Sequence, residues 1–238
     1  MPHAVSYTRA HRAMELAAMP AAALLFAAQA LRLWLSSRDA ADLCLVLACV
    51  GLGYLAADLA SGAVHWIFDR FGSVHTPLLG AKFIRPFREH HDDPLAITRH
   101  GFVETNGDNC IVALPVLAGA LFLPIRGGVS LVLVAVLSFM CLFVLLTGQI
   151  HKWAHMESPP RPARWLQRAR LILSREHHEI HHGAPFRRAY CITSGWWNPL
   201  LDALRAFHLM EAVIGFFTGA RPRPEAEAPA AAPAGELG

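Results

Sequence analysis

Four histidines lie within six residues of one short segment, at His177, His178, His181 and His182. In a helix, spacings of three and four residues place His178, His181 and His182 on one face, with His177 one turn from His181. Neutral imidazoles that converge on one point bind iron, zinc or copper and suit magnesium or calcium poorly. The segment therefore predicts a transition-metal site.

Histidines at similar spacing recur in other segments. His65 and Asp69 are one helical turn apart at the end of an apolar run, where an ionisable side chain is costly unless it has a function. Further single or paired histidines occur at His90, His91, His100, His151 and His155. A single zinc ion takes three or four ligands, so eight to ten histidines from four segments indicate two metal ions.

Two non-haem iron ions held by imidazoles beside a membrane can activate dioxygen and remove hydrogen from an unactivated C–H bond. This chemistry requires open coordination positions, a cavity that excludes water, and access for a lipid chain. The carboxylates of Asp69, Asp108 and Glu176 are expected to orient the imidazoles, and Asp69 is also a candidate ligand. The histidine pattern favours such an oxidoreductase.

The segment from His178 to His182 also matches H-E-x-x-H, the zinc metalloprotease motif, in which Glu179 would be the general base. The additional imidazole of His181 and the histidines of the other segments exceed what a protease with one zinc ion needs. A metal transporter would place its histidines along a pore rather than at one face of a membrane. Both alternatives are therefore less favoured.

The composition indicates a membrane protein. Of 238 residues, 54% are hydrophobic and 16% are charged, whereas about 25% charged residues is typical of soluble domains. The net charge of +3 is too small to indicate a nucleic-acid partner. The five cysteines form no C-x-x-C pair and are expected as small core residues.

The apolar runs predict an all-α, polytopic membrane protein with about four transmembrane helices. Amphipathic segments between and after the runs are expected to form a histidine-rich cap of interfacial helices. The third run is short for a full span. The runs cover residues 13–35, 42–68, 110–123 and 131–150.

The distribution of basic residues predicts the topology. With four spans, 18 of the 21 lysines and arginines lie on the side of the termini and the long loop 70–109. The positive-inside rule therefore places both termini, and with them the histidine-rich site, in the cytoplasm. The expected organisation is a short lead over 1–12, a membrane domain over 13–219 and a disordered Ala/Pro/Glu-rich tail over 220–238.

Six motifs, in order over residues 54–200, resemble the membrane lipid desaturases of the plasmanylethanolamine desaturase (CarF-like) type. The first three are Asp58-Leu-Ala-Ser-Gly-x-x-His65-Trp-x-x-Asp69, Ile84-Arg-Pro-Phe-Arg-Glu-His-His91, and Ala96-Ile-Thr-Arg-His100 running into Glu104-Thr-Asn-Gly-Asp-Asn-Cys110. The others are Gln149-Ile-His-Lys-Trp-Ala-His155, His177-His-x-x-His-His182 and Tyr190-Cys-Ile-Thr-x-Gly-Trp196.

The resemblance implies desaturation of the 1-O-alkyl chain of an ether phospholipid between C1 and C2, from plasmanyl- to plasmenylethanolamine. It implies two non-haem irons, dioxygen as co-substrate, and an external electron donor of cytochrome or ferredoxin type. The iron ligands it implies are His65, His90, His91, His151, His155, His178, His181 and His182. Supporting residues would be Asp69, His100, Asn106, Asp108 and His177, and Arg85 and Arg88 are candidate contacts to a lipid phosphate.

A related branch of the family desaturates an acyl chain of phosphatidylglycerol, and hydroxylation uses the same iron–oxygen chemistry. The ligand set alone does not separate these reactions. The metalloprotease alternative predicts that Glu179→Gln abolishes activity, whereas a desaturase is expected to tolerate this change and to lose activity in His181→Ala.

Overall fold

The computed structural model describes residues 8–77 and 79–224, and every regular element within these ranges is helical. The expected lead and tail lie partly outside the described residues. The helices are α1 Arg9–Ser36, α2 Ala40–Arg70, a π-helical turn Gly80–Ile84, α3 Arg85–Asp92, α4 Ala96–Arg99, α5 Phe102–Phe122, α6 Gly128–His155, α7 Arg161–Arg168, α8 Arg175–Glu179, α9 Asn198–Ala203 and α10 Ala206–Thr218.

Three of these helices, α1, α2 and α6, are long and apolar enough to cross a membrane. In their most apolar windows, 22–28% of the residues are buried inside the protein, so most of the apolar surface faces outward. Leu24, Leu47 and Leu133 are among these exposed side chains. An apolar outer surface of this extent is stable in lipid rather than in water. The expected all-α, polytopic architecture is confirmed.

Small residues allow the long helices to approach one another closely. α2 packs along α6, and α5 packs between α1 and α6. A Cβ atom on Gly53 of α2 would lie 2.5 Å from the Cβ of Phe139, and one on Gly148 of α6 would lie 2.2 Å from the carbonyl oxygen of Thr105. Helices in membranes commonly pack through small residues that let their backbones approach closely. The hydrophobic effect does not favour helix association there, because lipid is as apolar as the helix surfaces.

Helix α5 begins at Phe102, eight residues before the predicted apolar run. Its additional turns carry polar side chains that the sequence indicated as loop. They face polar residues of α1: His11 Nε2 lies 3.0 Å from Asp108 Oδ1, and Gly107 allows the buried Glu15 side chain to pack against it. The polar start of α5 is thus matched by a polar start of α1.

The turns that join α1 to α2 and α5 to α6 lie side by side. Arg32 donates a hydrogen bond of 2.8 Å to the carbonyl of Ala120, and Arg38 donates one of 3.4 Å to the carbonyl of Arg126. The opposite end of the bundle therefore collects the C-termini of α2 and α6. Short helices α3 and α8 pack there against α2 and α6, respectively, and bring the predicted ligands together.

Candidate metal centre

Four imidazoles converge where the end of α6 meets α8. The Nε2 atoms of His151, His155 and His178 form a triangle with sides of 2.9, 3.0 and 3.1 Å, and His182 Nε2 lies 3.1 Å from that of His178. A neutral imidazole nitrogen is either a donor or an acceptor, so three mutually contacting nitrogens cannot all be hydrogen-bonded. Their spacing is that of adjacent ligands around one cation with bonds of about 2.1 Å.

A second group lies between α2, α3 and the turn after α8. His65, His90, His91 and His181 each have a ring nitrogen within 4.8 Å of those of the other three. Asp69 Oδ2 lies among them, 3.0 Å from His91 Nε2 and 3.5 Å from the Nε2 atoms of His65 and His181. The carboxylate is thus close enough to these imidazoles to orient them or to share their metal ion.

His90 belongs to both groups, because its ring nitrogen also lies within 4.8 Å of those of His151, His155 and His178. Its ring centroid is 5.1 Å from that of His65 and 5.3 Å from that of His151. The two groups are therefore adjacent compartments of one centre. This arrangement fits two neighbouring metal ions in one centre better than two unconnected metal sites.

Backbone carbonyls fix the orientation of three of these rings. His65 Nδ1 is 3.2 Å from the carbonyl oxygen of Tyr190, His181 Nδ1 is 2.9 Å from that of Arg188, and His90 Nδ1 contacts that of Phe87. In each ring the opposite nitrogen, Nε2, is buried without a hydrogen-bond partner in the described part of the chain. An imidazole ring with one nitrogen hydrogen-bonded and the other without a hydrogen bond has the orientation and the available lone pair that a metal ligand needs.

Three imidazoles outside the spanning helices, those of His90, His178 and His182, are held in the neutral form that binds metals. Burial, reinforced by the neighbouring histidines, lowers the pKa of His90 and His178 well below the ordinary value. The same causes lower the pKa of His182. The donor set, the bare nitrogens and the neutral rings therefore fit a pair of transition-metal ions.

A buried carboxylate holds the segment that follows the histidines. Asp58 Oδ1 accepts hydrogen bonds from the backbone N–H groups of Thr193, Ser194 and Gly195, at 3.1, 2.7 and 2.9 Å. Gly62, one turn further along α2, lies so close to Cys191 that a Cβ would be 2.4 Å from its sulfur. Asp58 belongs to the first of the six sequence motifs, but nothing in the sequence indicated this partner.

His177 lies outside both imidazole groups and helps to hold the same segment. The side-chain amide of Asn198 donates to His177 Nε2 at 3.2 Å and to the carbonyl of Cys191 at 3.0 Å, while its oxygen accepts from the Cys191 N–H at 2.8 Å. Gly195, with φ of 76°, leaves space for the imidazole. Asn198 was missed in the sequence, because its partners are identifiable from the folded chain alone.

Three further residues expected near the ligands lie elsewhere. His100 is half-buried, 3.8 Å from Glu104, and its carbonyl accepts a hydrogen bond from Lys152. Asp108 faces α1 through His11. Asn106 is buried in α5 and bonds to the carbonyl of Phe102 at 2.8 Å. In the described chain none of the three is in either group of convergent imidazoles.

The arginines expected to bind a lipid phosphate have partners within the protein. Arg88 donates to the carbonyls of Phe71 and Gly72 at 3.0 and 2.8 Å, and so caps the C-terminal end of α2. Arg85 lies 3.6 Å from Glu89, one turn further along α3. These contacts give Arg88 a structural role, and a contact of either arginine with a lipid phosphate stays a prediction.

The proposed base of a metalloprotease faces away from the centre. Glu179 is bound to Arg175 at 2.8 Å, and its side chain is 60% exposed. A general base must be within hydrogen-bond reach of the reacting water. The H-E-x-x-H match therefore lacks the geometry that its chemistry needs.

Comparison with known proteins agrees with the motifs. A family described as lipid desaturase domain matches residues 54–225. The chain is 48% identical over 220 residues to a plasmanylethanolamine desaturase of Myxococcus xanthus, which covers 92% of this chain and 78% of that protein. It is 44% identical over 186 residues to plasmanylethanolamine desaturase 1 of Mus musculus, covering 75% of this chain and 68% of that protein.

More distant relatives have a different name. Identity to the chloroplastic fatty acid desaturase 4 of Arabidopsis thaliana is 38% over 188 residues, which cover 76% of this chain and 55% of that protein. No solved structure matches the chain. The resemblance seen in the motifs is confirmed by these relatives, and desaturation is an oxidation. The chain therefore belongs to the lipid desaturase family, a family of membrane oxidoreductases.

Proposed function

We propose that this protein is an oxygen-dependent desaturase that introduces the C1–C2 double bond of a vinyl ether into the 1-O-alkyl chain of an ether phospholipid. The observation that carries the proposal is the pair of adjacent imidazole groups, eight histidines in all with His90 between the groups, at one end of a lipid-facing helix bundle. The two relatives named plasmanylethanolamine desaturase support the choice of an ether lipid.

Two non-haem iron ions are the proposed cofactor, and their redox chemistry with dioxygen supplies the oxidising power for C–H cleavage. His65, His91 and His181 would hold one ion, with Asp69 beside them. The other would be held by His151, His155, His178 and His182, and His90 lies between the two groups.

The protein's own residues supply orientation and exclusion of water. Tyr190 is buried against His65 and His181, with its ring centroid 5.7 Å from that of His65 and 5.0 Å from that of His181. Phe186 covers His91 at a ring distance of 4.7 Å. These aromatic side chains close the protein side of the centre, so that the reactive groups are shielded from water.

The reaction balances with an external reductant. Loss of one hydrogen each from C1 and C2 supplies two electrons and two protons, an electron donor of cytochrome or ferredoxin type supplies two more electrons, two further protons come from water, and dioxygen is reduced to two waters. In the proposed topology both termini and the metal centre face the cytoplasm, where a soluble or peripheral donor can reach them. The proposed organisation keeps the membrane domain at 13–219.

An acyl-lipid desaturase using the same centre is the second candidate. The identity to a relative named fatty acid desaturase supports it. Ether and ester chains differ in the atoms next to the reacting carbons, so the two candidates are separated by substrate and not by ligand set.

The test is a lipid assay on purified, iron-loaded protein in nanodiscs with a reductant and dioxygen. Wild-type protein is expected to convert 1-O-alkyl glycerophosphoethanolamine into an acid-labile vinyl ether, detected by mass spectrometry. His181→Ala, verified as folded by size-exclusion chromatography, is expected to abolish the product, whereas the matched control His100→Ala retains it. Products from acyl lipids alone would replace the ether proposal by the second candidate.

A further inference from the structure

A groove of about 570 Å³ opens between the loop that follows His182 and the start of α10. Its size is within the range of ligand-binding clefts. The groove lies outside the candidate metal centre, because no residue of the two imidazole groups lines it. Its lining includes Pro185, Arg187, Arg188, Asp202, Arg205 and His208.

Part of the positive charge at the groove has no ion-pair partner among the described residues. Arg187 is bound to Glu211 at 2.8 Å, and both oxygens of Asp202 accept from the Ala189 N–H. The side chains of Arg188 and Arg205, in contrast, are exposed at the groove. Guanidinium groups bind phosphate through paired, charge-assisted hydrogen bonds, which favours an anionic ligand here.

The start of α10 adds to this preference. Arg205 is the N-cap residue, in the left-handed conformation with φ of 49° and without a side-chain capping bond, and the 13-residue helix begins at Ala206. Backbone N–H groups at a helix N-terminus attract anions. Both cations and the helix end therefore point to the same kind of ligand.

Two aromatic rings in series, Phe207 and Tyr190, separate the groove from the metal centre. Phe207 lines the groove, and its ring centroid is 5.0 Å from that of Tyr190, which in turn is 5.0 Å from that of His181. On the other wall, the carbonyl of Arg188 contacts His181 Nδ1 at 2.9 Å. The groove is thus directly behind the imidazoles.

The outer face of α10 indicates that the groove opens at a lipid surface. Leu209, Val213, Phe216 and Phe217 are exposed, with Phe216 at 84% and Phe217 at 78%. An amphipathic helix with such a face lies with it in the boundary between headgroups and acyl chains. Phospholipid phosphates occupy the same depth.

We infer that Arg188 and Arg205 bind the phosphate of the phospholipid substrate and so set which lipids enter. The inference rests on the proposed reaction at C1–C2. A phosphate in the groove would hold the headgroup beside the centre, with Phe207 and Tyr190 between it and His181.

The test measures lipid binding to the iron-loaded full chain without dioxygen or reductant, so that no turnover occurs. Wild-type protein is expected to bind 1-O-alkyl glycerophosphoethanolamine at least about ten-fold more tightly than 1-O-alkylglycerol, which lacks phosphate. Arg188→Gln and Arg205→Gln are each expected to weaken binding of the phospholipid by about ten-fold and to leave alkylglycerol binding unchanged. Arg164→Gln, an exposed change on α7, is the control.

Other outcomes would overturn the inference. Variants that keep the full preference for the phospholipid would show that its phosphate binds elsewhere. Displacement of the lipid by an equal concentration of inorganic phosphate would identify the groove as a site for a soluble anion. The proposed function fails separately, if wild-type protein binds the ether phospholipid but forms no vinyl ether when dioxygen and reductant are supplied.

Discussion

The carboxylate of Asp58 and the backbone N–H of Gly195 are joined by a hydrogen bond of 2.9 Å across 137 residues of sequence. Together with the bonds to Thr193 and Ser194, it ties the segment after the histidines to α2. The carbonyl of Tyr190 in that segment holds His65 Nδ1. A single buried carboxylate therefore supports the geometry of a ligand two turns away.

Asp58→Asn is expected to lower the free energy of unfolding by about 2 kcal/mol, because charge-assisted hydrogen bonds to buried N–H groups are lost. We also expect loss of iron from the group containing His65. Thermal unfolding in detergent and elemental analysis measure the two effects. Glu157→Gln, at an exposed carboxylate, is the control, and an Asp58→Asn protein with full stability and iron would contradict the role given to this residue.

We expect each of the two imidazole groups to bind its own iron ion, so that removing a ligand from one group affects one ion. Wild-type protein is expected to bind about two irons per chain, and His65→Ala or His178→Ala about one, since each removes a ligand from one group. His90→Ala is expected to reduce both, because its ring lies between the groups. Elemental analysis normalised to protein measures this, with His100→Ala as the control. Equal loss in every variant would favour a single, indivisible site.

Glu179→Gln is expected to retain activity within about twofold, because an exposed ion pair with Arg175 contributes little to stability. The same change abolishes activity in a metalloprotease, in which the glutamate activates water. The vinyl-ether assay and a peptidase assay on the same preparation distinguish the two. Complete loss of desaturation in Glu179→Gln, with iron still bound, would require a role for this carboxylate that its position does not indicate.

The pH dependence of stability is expected to include a contribution from Glu211. Burial raises the pKa of this carboxyl, but hydrogen bonds and charges from Arg70 and Arg187 outweigh burial and hold the pKa below its ordinary value. A depressed pKa in the folded state stabilises the protein above the unfolded pKa, and this contribution is lost as the pH falls through the folded pKa.

Glu211→Gln is therefore expected to destabilise the protein by about 3 kcal/mol at pH 7, since it leaves Arg70 buried without its counter-charge. The difference from wild type is expected to shrink below pH 4.5, the ordinary glutamate value, as the wild-type carboxyl gains its proton. Thermal unfolding across this range measures it. A difference that is independent of pH would exclude the ion pair as its cause.

The sequence was sufficient to predict the long helices and the identity of the candidate ligands. Apolar runs and the i, i+4 pairs at His65–Asp69 and His151–His155 are local signals, and local signals survive folding in a helix. The polar start of α5 was missed, because its side chains are balanced by His11 and Glu15 of α1, a contact between distant segments.

The sequence correctly indicated that His178, His181 and His182 converge, but it indicated the wrong local structure for them. A continuous helix through the cluster would place His178, His181 and His182 on one face, but α8 ends at Glu179 and a turn carries His181 and His182. The reason is tertiary: His181 is bound to the carbonyl of Arg188 in the returning loop. Such a loop contact has no periodic signature in the sequence.

The carbonyl tethers of His65, His90 and His181 have a consequence for how this protein tolerates mutation. Since the main chain supplies each acceptor, replacing Tyr190, Arg188 or Phe87 changes a side chain but leaves the oxygen in place. His91 differs, because its partner Asp69 is a side chain and a single codon change removes it. The three backbone tethers are therefore expected to survive a change of side chain at the residue that supplies them, whereas the contact of His91 is lost with any change that removes the Asp69 carboxylate.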